Sequence, residues 1–252
     1  MNFDGKVVLV TGSSSGIGAA IAIQFSQLGA KVSLVARNEK KLNEVAKKCK
    51  DPLVIIADVT KEDDAKRIVA DTVKHYGQLD VLVNSAGICV GASILAENTM
   101  KAYDQVMATN LRAIVHLTHL AAPHIIKTKG NIVNISSISA LRTISKEGFA
   151  YNTAKAGLDH FTRSIAAELA SSGVRVNAVN PGMVKTDLLT NMGLPEEQRE
   201  PIYEFMKTFT AQKRVSDPEE IAEVVVFLAS DKAKAITGAN YLCDNGVSVK
   251  VD

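Results

Sequence analysis

Cysteine is scarce in this chain, and the positions of the few cysteines argue against two classes of protein. Three cysteines occur among 252 residues, Cys49, Cys89 and Cys243, and no two of them are spaced as Cys-x-x-Cys. A disulfide scaffold or a zinc module needs more thiolates at closer spacing. We therefore predict neither a disulfide framework nor a metal site, which suits a protein of a reducing compartment.

Long apolar runs and an excess of one charge are also missing. No stretch reaches the about 18 consecutive apolar residues of a transmembrane helix, and the N-terminal run is too short for a signal peptide. Lysine and arginine total 29 against 27 acidic residues, a net charge of +2. The densest basic cluster, Lys47, Lys48 and Lys50, is typical of a solvated helix end. These absences predict a cytoplasmic enzyme or binding protein with no nucleic-acid partner and no membrane span.

Short apolar runs, in contrast, recur from end to end and alternate with helical patterns. The runs are rich in valine and isoleucine and lack polar alternation, which is typical of parallel strands covered on both faces. The predicted strands are Lys6–Thr11, Lys31–Ala36, Leu53–Ala57, Val81–Ser85, Asn131–Ser136, Arg175–Asn180 and Asn240–Leu242.

Helix signals lie between these runs. An apolar stripe at helical spacing ends at Gly29, and Asp217 followed by Pro218 supplies an N-cap and a first-position proline. Thr60, three residues before Asp63, predicts another helix start. Repeated βαβ units predict an α/β fold, a Rossmann-type doubly wound parallel β-sheet of about seven strands with helices on both faces. Without repeats or linkers, residues 1–252 are predicted to form a single dinucleotide-binding domain.

A glycine-rich turn follows the first strand and opens the first helix. It reads Thr11-Gly-Ser-Ser-Ser-Gly-Ile-Gly18, a G-x-x-x-G-x-G variant of the usual dinucleotide fingerprint. Glycines let backbone N–H groups approach a pyrophosphate at the positive end of a helix. The cofactor-binding residues predicted from this turn are Gly12, Ser14, Ser15, Gly16, Ile17 and Gly18.

The same turn also matches Gly-x-Ser-x-Gly, with Ser14 at the nucleophile position of an esterase. That interpretation needs an acid and then a histidine far downstream, and the last histidine of the chain is His160. We therefore favour a nucleotide site over a hydrolase.

The end of the second strand distinguishes between the two nicotinamide dinucleotides. An NAD site usually has an acidic residue there that binds the ribose hydroxyls, but this strand ends Val35-Ala-Arg-Asn38. Arg37, with Asn38 beside it, offers two donors to a 2′-phosphate, so the sequence predicts NADP(H) rather than NAD(H). Asp58 and Val59, after the third strand, are predicted to line the adenine pocket; Asp58 is equally a helix-start residue.

Tyr151 and Lys155 are the most informative pair, because residues four apart lie on one helix face. A free tyrosine has a pKa of about 10, and lowering it to about 7 requires roughly 4 kcal/mol. A cation about 4 Å away supplies on the order of 4 kcal/mol at an effective dielectric of 20. The spacing therefore suits a phenol that exchanges protons near neutral pH.

Together these motifs resemble the short-chain dehydrogenase/reductase family, in its single-domain branch of about this length. The resemblance covers essentially the whole chain and rests on several motifs in order. They are Thr11-Gly-Ser-Ser-Ser-Gly-Ile-Gly18, Asp58-Val59, Asn84-Ser-Ala-Gly87, Asn110, Asn134-Ile-Ser-Ser137, Tyr151-Asn-Thr-Ala-Lys155 and Pro181-Gly182.

The resemblance implies an oxidoreductase that transfers a hydride directly between a nicotinamide and a substrate carbon, without a metal. Tyr151 would be the general acid in reduction and the general base in oxidation, and Lys155 would lower its pKa and bind the nicotinamide ribose. Ser137 would orient the substrate oxygen, and Asn110 would hold a water that links Lys155 to solvent. The other cofactor residues that it implies are Asn84, Ala86, Gly87, Pro181, Gly182, Val184 and Thr186.

Three departures from the family pattern limit this transfer. Ser85 stands where the family usually has a second asparagine, and Asn245 stands within the family's Asp-Gly-Gly. Tyr151 follows Ser137 by fourteen residues, slightly more than expected, which leaves Ser139 as the alternative catalytic serine.

The substrate side is predicted from position and apolarity. The variable segment at about 187–215 carries many apolar residues and is a candidate lid over a lipophilic, steroid-like ketone. A 3-ketoacyl group on acyl carrier protein or CoA is the alternative substrate, favoured if Arg142, Lys185 and Lys213 form one patch at the cleft mouth. The predicted substrate residues are Ser139, Leu141, Met183, Leu188 and Met192.

A second hypothesis is a dinucleotide-binding sensor that has lost catalysis. A protein without catalysis has no need for Asn110, Ser137, Tyr151 and Lys155 together, so we favour the enzyme. The family resemblance also implies a homodimer or homotetramer.

Overall fold

A computed structural model describes residues 1–187 and 195–250. It contains one sheet of seven parallel strands in the order β3-β2-β1-β4-β5-β6-β7. The strands are β1 (Val7–Thr11), β2 (Lys31–Ala36), β3 (Leu53–Ile56), β4 (Val81–Asn84), β5 (Asn131–Ile135), β6 (Arg175–Pro181) and β7 (Asn240–Cys243).

Helices connect the strands and cover both faces of the sheet. They are α1 (Gly16–Gln27), α2 (Glu39–Ala46), α3 (Glu62–Tyr76), α4 (Thr99–Met107), α5 (Ala113–Thr128), α6 (Phe149–Leu169), α7 (Arg199–Lys207) and α8 (Pro218–Ala229). The predicted α/β Rossmann-type doubly wound sheet is confirmed.

Two apolar layers pack the helices against the two faces of the sheet, and residues of β1 contribute to both layers. Val8 and Val10 pack with α1 and α8 on one face, whereas Val7 and Leu9 pack with α3 and α5 on the other. Successive side chains of a strand point to opposite faces, so a strand covered on both faces is apolar at every position. All five residues of β1 are buried.

The predicted element boundaries are shifted by a residue or two in places. β6 continues to Pro181, while Ser85 and Ser136 belong to the turns after β4 and β5. Thr60 does not begin α3: the Asp58 carboxylate accepts hydrogen bonds from the Thr60 N–H and hydroxyl, at 3.0 and 2.7 Å. This turn delays the helix until Glu62.

The strand order reverses direction between β1 and β4. In open α/β sheets a ligand crevice forms outside the carboxyl ends of the strands at such a switch point. The loops after β1, β4, β5 and β6 therefore surround one opening. Among the described helices, none combines the length and apolarity that crossing a bilayer requires.

Candidate active site

A cavity of about 830 Å³ lies at this switch point. Its wall is built from the loops after β1 to β6, with contributions from α4, α6 and α7. It is lined by Gly12, Ser14, Ser15, Gly16, Ile17, Gly18, Val35, Ala36, Arg37, Asn38, Lys41, Ala57, Asp58, Val59, Ser85, Ala86, Gly87, Ile88, Cys89, Val90, Gln105, Thr109, Ile135, Ser136, Ser137, Tyr151, Lys155, Pro181, Gly182, Met183, Val184, Thr186, Asp187 and Met206.

The glycine turn is compact because two side chains are missing from it. A Cβ on Gly12 would lie 2.8 Å from the Ala86 backbone, and the φ of Gly12 is +68°. A Cβ on Gly18 would lie 2.3 Å from the Gly12 carbonyl oxygen. The loop after β1 can therefore contact the loop after β4 only with glycine at both positions.

The amino end of α1 opens into the cavity without an acidic residue in its first turn. Ser15 is the N-cap, and its side chain makes no capping hydrogen bond. A helix amino end carries partial positive charge and N–H groups that lack intrahelical partners. The residues present fit the pyrophosphate of a dinucleotide, which would lie against Ser14, Ser15, Gly16 and Ile17.

Basic side chains collect at the other end of the cavity, beyond β2. Arg37 lies 3.8 Å from Asp58, and its side chain is 69% exposed. Asn38 caps α2 by accepting the Lys41 N–H, and the Lys41 ammonium pairs with Asp187. Each cation thus already has a carboxylate partner, yet both line the cavity.

The pKa of Asp58 reflects competing influences. Burial raises this pKa, but the hydrogen bonds from Thr60 and the charges of Arg37 and Lys61 outweigh burial and lower it. Asp58 is therefore a carboxylate that orders its own turn and holds Arg37 close. Asp58 lines the cavity and also shapes the turn that precedes α3.

Asn84 was predicted to bind the cofactor, but the structure places its side chain outside the cavity lining. Its side chain is fully buried beneath the cavity wall, where it donates to Asn134 at 2.9 Å and approaches Thr118 at 3.5 Å. The reason is register: Asn84 pairs with Asn134 across β4 and β5, so its amide ties two strands together. Ser85, Ala86 and Gly87 form the wall beside it instead.

Tyr151 and Lys155 lie in the first two turns of α6, and both side chains reach the cavity. The Lys155 ammonium donates to the Ile135 carbonyl at 2.7 Å and lies 5.6 Å from the centre of the Tyr151 ring. Lys155 is 4% exposed. The predicted face-sharing of this pair is present, with the ammonium over the ring.

The pKa of Tyr151 is raised, whereas its spacing from Lys155 predicted that it is lowered. Burial raises the pKa of Tyr151 to about 12, because the hydrogen bond with Ser137 opposes burial only in part. Burial likewise lowers the pKa of Lys155 to about 8, although Asp159 and Cys89 act in the opposite direction. The spacing argument omitted desolvation, which disfavours the charged form of both groups.

The two candidate serines occupy different places. Ser137 lines the cavity and hydrogen-bonds the Tyr151 side chain. Ser139 does not line the cavity; its N–H donates to the Ser137 hydroxyl oxygen at 3.1 Å, which orients that hydroxyl. The geometry therefore brings Ser137, and not Ser139, to Tyr151.

Asn110 lies in a π-helical turn, Ala108–Arg112, between α4 and α5. It is fully buried, and its amide clamps the Ile88 backbone by accepting the N–H at 2.9 Å and donating to the carbonyl at 2.8 Å. π-turns often mark functional sites. Asn110 does not line the cavity, but its neighbour Thr109 does.

The predicted substrate residues are separated by the structure. Met183 lines the cavity, whereas Leu141 is 61% exposed and lies outside the lining, as does Ser139. Leu188 and Met192 lie outside the described residues. Leu141 follows the short 3₁₀ turn Ile138–Ala140.

Sequence reasoning missed several residues of the wall. Lys41 could have been predicted from the sequence, because the third residue after an N-cap asparagine lies in the first helical turn beside that cap. Asp187 and Met206 lie in the segment predicted as a lid, at about 187–215, although neither was among the predicted site residues. The other residues missed are Val35, Ala36, Ala57, Ser85, Ile88, Cys89, Val90, Gln105, Thr109, Ile135 and Ser136.

Comparison with known proteins places the chain in a family. The family model described as Enoyl-(Acyl carrier protein) reductase matches residues 12–248. The 3-oxoacyl-(acyl-carrier-protein) reductase FabG of Thermotoga maritima is 36% identical, with 99% of this chain and 100% of that protein covered. Meso-2,3-butanediol dehydrogenase of Serratia marcescens is 36% identical, covering 98% of this chain and 96% of the relative. L-fucose dehydrogenase of Bos taurus is 32% identical, with 98% and 91% covered.

Solved structures give the same result. A short-chain dehydrogenase/reductase of unknown function from Caenorhabditis elegans, determined with cofactor, superposes with a TM-score of 0.94 at 35% identity, covering 99% of this chain and 97% of that one. Aldohexose dehydrogenase of Thermoplasma acidophilum gives 0.89 at 33% identity, with 99% and 96% covered. The chain belongs to the short-chain dehydrogenase/reductase family. It is an oxidoreductase of this family that interconverts CH–OH and C=O groups with a nicotinamide dinucleotide.

Proposed function

We propose that this protein is an NADP(H)-dependent carbonyl reductase, which also runs as a secondary-alcohol dehydrogenase. One observation carries the proposal: Ser137, Tyr151 and Lys155 share the wall of one cavity with the glycine turn and with Arg37. A proton donor, an oxygen-orienting hydroxyl and a dinucleotide cradle in one cavity are what carbonyl reduction needs.

Each catalytic side chain has a role that its contacts support. The nicotinamide, when bound, supplies or accepts the hydride. The Tyr151 hydroxyl, protonated at neutral pH, donates its proton to the substrate oxygen during reduction and takes it back during oxidation. The Ser137 hydroxyl orients that oxygen and stabilises its developing charge. Lys155 stabilises the tyrosinate left behind and binds the nicotinamide ribose.

We propose that Asn110 acts on proton supply by fixing the backbone of Ile88, which lines the cavity. Both polar atoms of its amide are engaged by Ile88. The π-turn alters the helical hydrogen-bond register at this point, with the Ala113 N–H donating to Ala108. We propose that the turn holds a water that relays protons between Lys155 and solvent.

A preference for NADP(H) over NAD(H) is proposed from the charge at the end of β2. An acidic residue that would repel a 2′-phosphate is absent from residues 35–38, and Arg37 and Lys41 line the cavity there. The guanidinium and the ammonium would each place a positive charge near the negative 2′-phosphate.

A lipophilic, steroid-like ketone is the substrate class we propose. The apolar side chains of the cavity wall include Ile88, Val90, Met183 and Met206, of which Ile88 and Val90 pack in one cluster with Tyr151. Such a surface favours an apolar substrate, because removal of its area from water is the main driving force. The candidate lid, residues 187–215, contributes Met206 through α7.

A 3-oxoacyl thioester is the second candidate, favoured by the similarity to the Thermotoga reductase. The basic patch that would favour it requires Arg142, Lys185 and Lys213 together at the cleft mouth. Arg142 donates to the Val247 carbonyl at 2.6 Å, and Lys185 lies 3.8 Å from Asp217. The apolar residues of the cavity wall keep a lipophilic ketone as our first choice.

For the whole protein we propose a homodimer or homotetramer in the cytoplasm. Support comes from the family resemblance and the small number of cysteines. Light scattering on the purified protein is expected to give a mass of two or four chains, and a monomer mass would contradict the proposal.

The first test is a fluorescence titration with NADPH and, in parallel, with NADH. Tighter binding of NADPH is expected, since it adds the 2′-phosphate contacts. A panel of cyclic lipophilic ketones, 3-oxoacyl thioesters, diketones and aldoses is then assayed with the preferred cofactor. Turnover of thioesters alone would replace the ketone proposal, and cofactor binding with no turnover at all would favour the non-catalytic sensor.

A further inference from the structure

The interior behind the catalytic side chains contains a carboxylate with no assigned role. Asp159 lies on α6, four residues after Lys155, and is 3% exposed. Its Oδ2 accepts a hydrogen bond from Asn180 Nδ2 at 2.8 Å, while Oδ1 has no hydrogen-bond partner among the described residues. A nearby positive charge stabilises a buried carboxylate that has one hydrogen bond, because an unpaired ion is costly to bury.

The other buried charges in the described part show which cation serves Asp159. Asp80 pairs with Lys6 at 3.0 Å and accepts the Val7 N–H, and Asp244 accepts two backbone N–H groups. Lys155 has a carbonyl for its hydrogen bond but no ion pair within 4 Å. Lys155 is the one buried cation among the described residues, and i, i+4 spacing places it on the same helix face as Asp159.

We propose that Asp159 is a positioning residue, the buried counter-charge that keeps Lys155 protonated behind the reacting groups. Only the effect of Asp159 on catalysis depends on the proposed function. Its electrostatic core, the coupling of Asp159 to Lys155, is a property of the folded chain.

The hydrogen bonds of Asp159 extend this role to the serine. Asn180 donates through the same amide nitrogen to Asp159 and to the Ser137 carbonyl, at 2.8 and 3.0 Å. Asp159 therefore fixes the amide that holds the backbone of Ser137, on the side opposite the cavity. One carboxylate supports both the charge on Lys155 and the placement of the Ser137 hydroxyl.

The surroundings contain few competing charges. Besides Asp159, the titratable group that acts on Lys155 is Cys89, from the segment after β4, and the Tyr151 ring lies beside the ammonium. Asn180, on β6, donates to Asp159 and is neutral. At the start of α6 the packing partners from α4 are Val106 and Tyr103, and the π-turn places Leu111 against Gly157.

The test uses Asp159→Asn, which removes the charge but keeps an oxygen for the Asn180 amide. Burial lowers the pKa of Lys155 to about 8, below its ordinary value of 10.5. The unfolded chain then binds more protons than the folded one between these values, so wild-type stability rises with pH across this window. Loss of the Asp159 charge moves the start of this rise to lower pH, by about one unit or more.

The measurement is urea unfolding of both proteins from pH 6 to 10, without any ligand. The exposed Glu168 on the same helix gives the matched control, Glu168→Gln, which is expected to follow wild type. Parallel curves for Asp159→Asn and wild type would overturn the proposal.

An activity readout separates electrostatics from simple loss of packing. The wild-type to Asp159→Asn ratio of kcat is expected to grow as pH rises from 6 to 9, because the variant loses the Lys155 proton first. A ratio that does not change with pH would contradict the proposal. Absence of wild-type turnover on every carbonyl would instead refute the proposed function and leave the unfolding result decisive for Asp159.

If Asp159→Asn does not fold, Lys155→Met supplies the converse test. Asp159 is then buried without a counter-charge, so this variant is expected to be less stable at pH 7 than the double variant Lys155→Met with Asp159→Asn, in which the uncompensated charge is removed. Urea unfolding in which the double variant is no more stable than Lys155→Met would show that the two groups are not coupled.

Discussion

The protonation state of Tyr151 connects the burial of this residue with the direction of the reaction. With its pKa raised to about 12 by burial, the phenol is protonated at neutral pH and is ready to donate in the direction of reduction. Oxidation needs the tyrosinate, which burial disfavours. We therefore expect reduction to be the faster direction near pH 7 and the rate of alcohol oxidation to rise with pH, as initial rates in both directions can check.

Tyr151→Phe removes the proton donor and leaves the ring in place. We expect kcat to fall by at least about 100-fold, within the range that general acid–base catalysis contributes. The dissociation constant for NADPH should change little, because the hydroxyl is only a small part of the cofactor contacts.

Tyr103→Phe is the matched control for that variant. The Tyr103 ring stacks with Phe149, with centroids 6.4 Å apart, and does not line the cavity. It is expected to keep wild-type kcat. Retained turnover in Tyr151→Phe would remove Tyr151 from the catalytic role.

Lys41 tests the proposed 2′-phosphate site at the residue scale. Lys41→Met is expected to weaken NADPH binding by about tenfold, the worth of one charge-assisted hydrogen bond of about 1.4 kcal/mol, and to leave NADH binding unchanged. Lys40→Met, one residue earlier and exposed, is the control. Equal losses for NADPH and NADH would show that Lys41 acts on the fold and not on the phosphate.

At the scale of elements, the glycine turn is held by the close approach of two loops. Gly12→Ala would place a Cβ 2.8 Å from the Ala86 backbone at a positive φ. The loops after β1 and β4 must then separate, so we expect binding of both dinucleotides to be lost in a fluorescence titration.

Gly77→Ala separates this packing effect from backbone strain. Gly77 also has a positive φ, +83°, but nothing lies within 4 Å of the position that a Cβ would take there. A loss of stability of about 1 kcal/mol with unchanged dinucleotide binding is expected for this variant, as measured by urea unfolding. If Gly12→Ala bound cofactor like Gly77→Ala, contact between the loops would not matter for the site.

Elements differ in how well the sequence predicted them. The strands were predictable, because a strand covered on both faces is apolar throughout, as β1 is. The start of α3 was not, since the Asp58 carboxylate competes for the Thr60 N–H. The sequence analysis assigned Asn84 to the cofactor site. The order of the motifs does not show which side chain instead forms a hydrogen bond between two strands, as Asn84 does with Asn134.

Distances between remote segments were equally inaccessible to sequence reasoning. The pairing of Lys41 with Asp187 joins α2 to the segment after β6. The choice between Ser137 and Ser139 depended on which hydroxyl the 3₁₀ turn directs towards Tyr151. The Tyr151 pKa was mispredicted because its sign depends on burial, which spacing alone does not provide.

At the scale of the whole molecule, the cavity is bounded by the ends of most of the strands. A bound ligand therefore contacts most of the sheet and stabilises the folded state. A ligand that binds only the folded state adds about 2.7 kcal/mol at 100 times its dissociation constant. We expect NADPH to raise the melting temperature more than NADH at equal concentration, in a calorimetric or fluorescence melt. Equal shifts for the two cofactors would contradict the proposed preference for NADP(H).

Direct hydride transfer to a carbonyl carbon is the central claim for the whole protein. The most direct measurement uses NADPH stereospecifically deuterated at C4 of the nicotinamide, in separate samples for each C4 position, with the best ketone of the panel. One of the two samples is predicted to give a secondary alcohol with deuterium on its carbinol carbon, and Tyr151→Phe should give little of it. An alcohol without the label from both samples, or no alcohol from any carbonyl tested, would contradict the account.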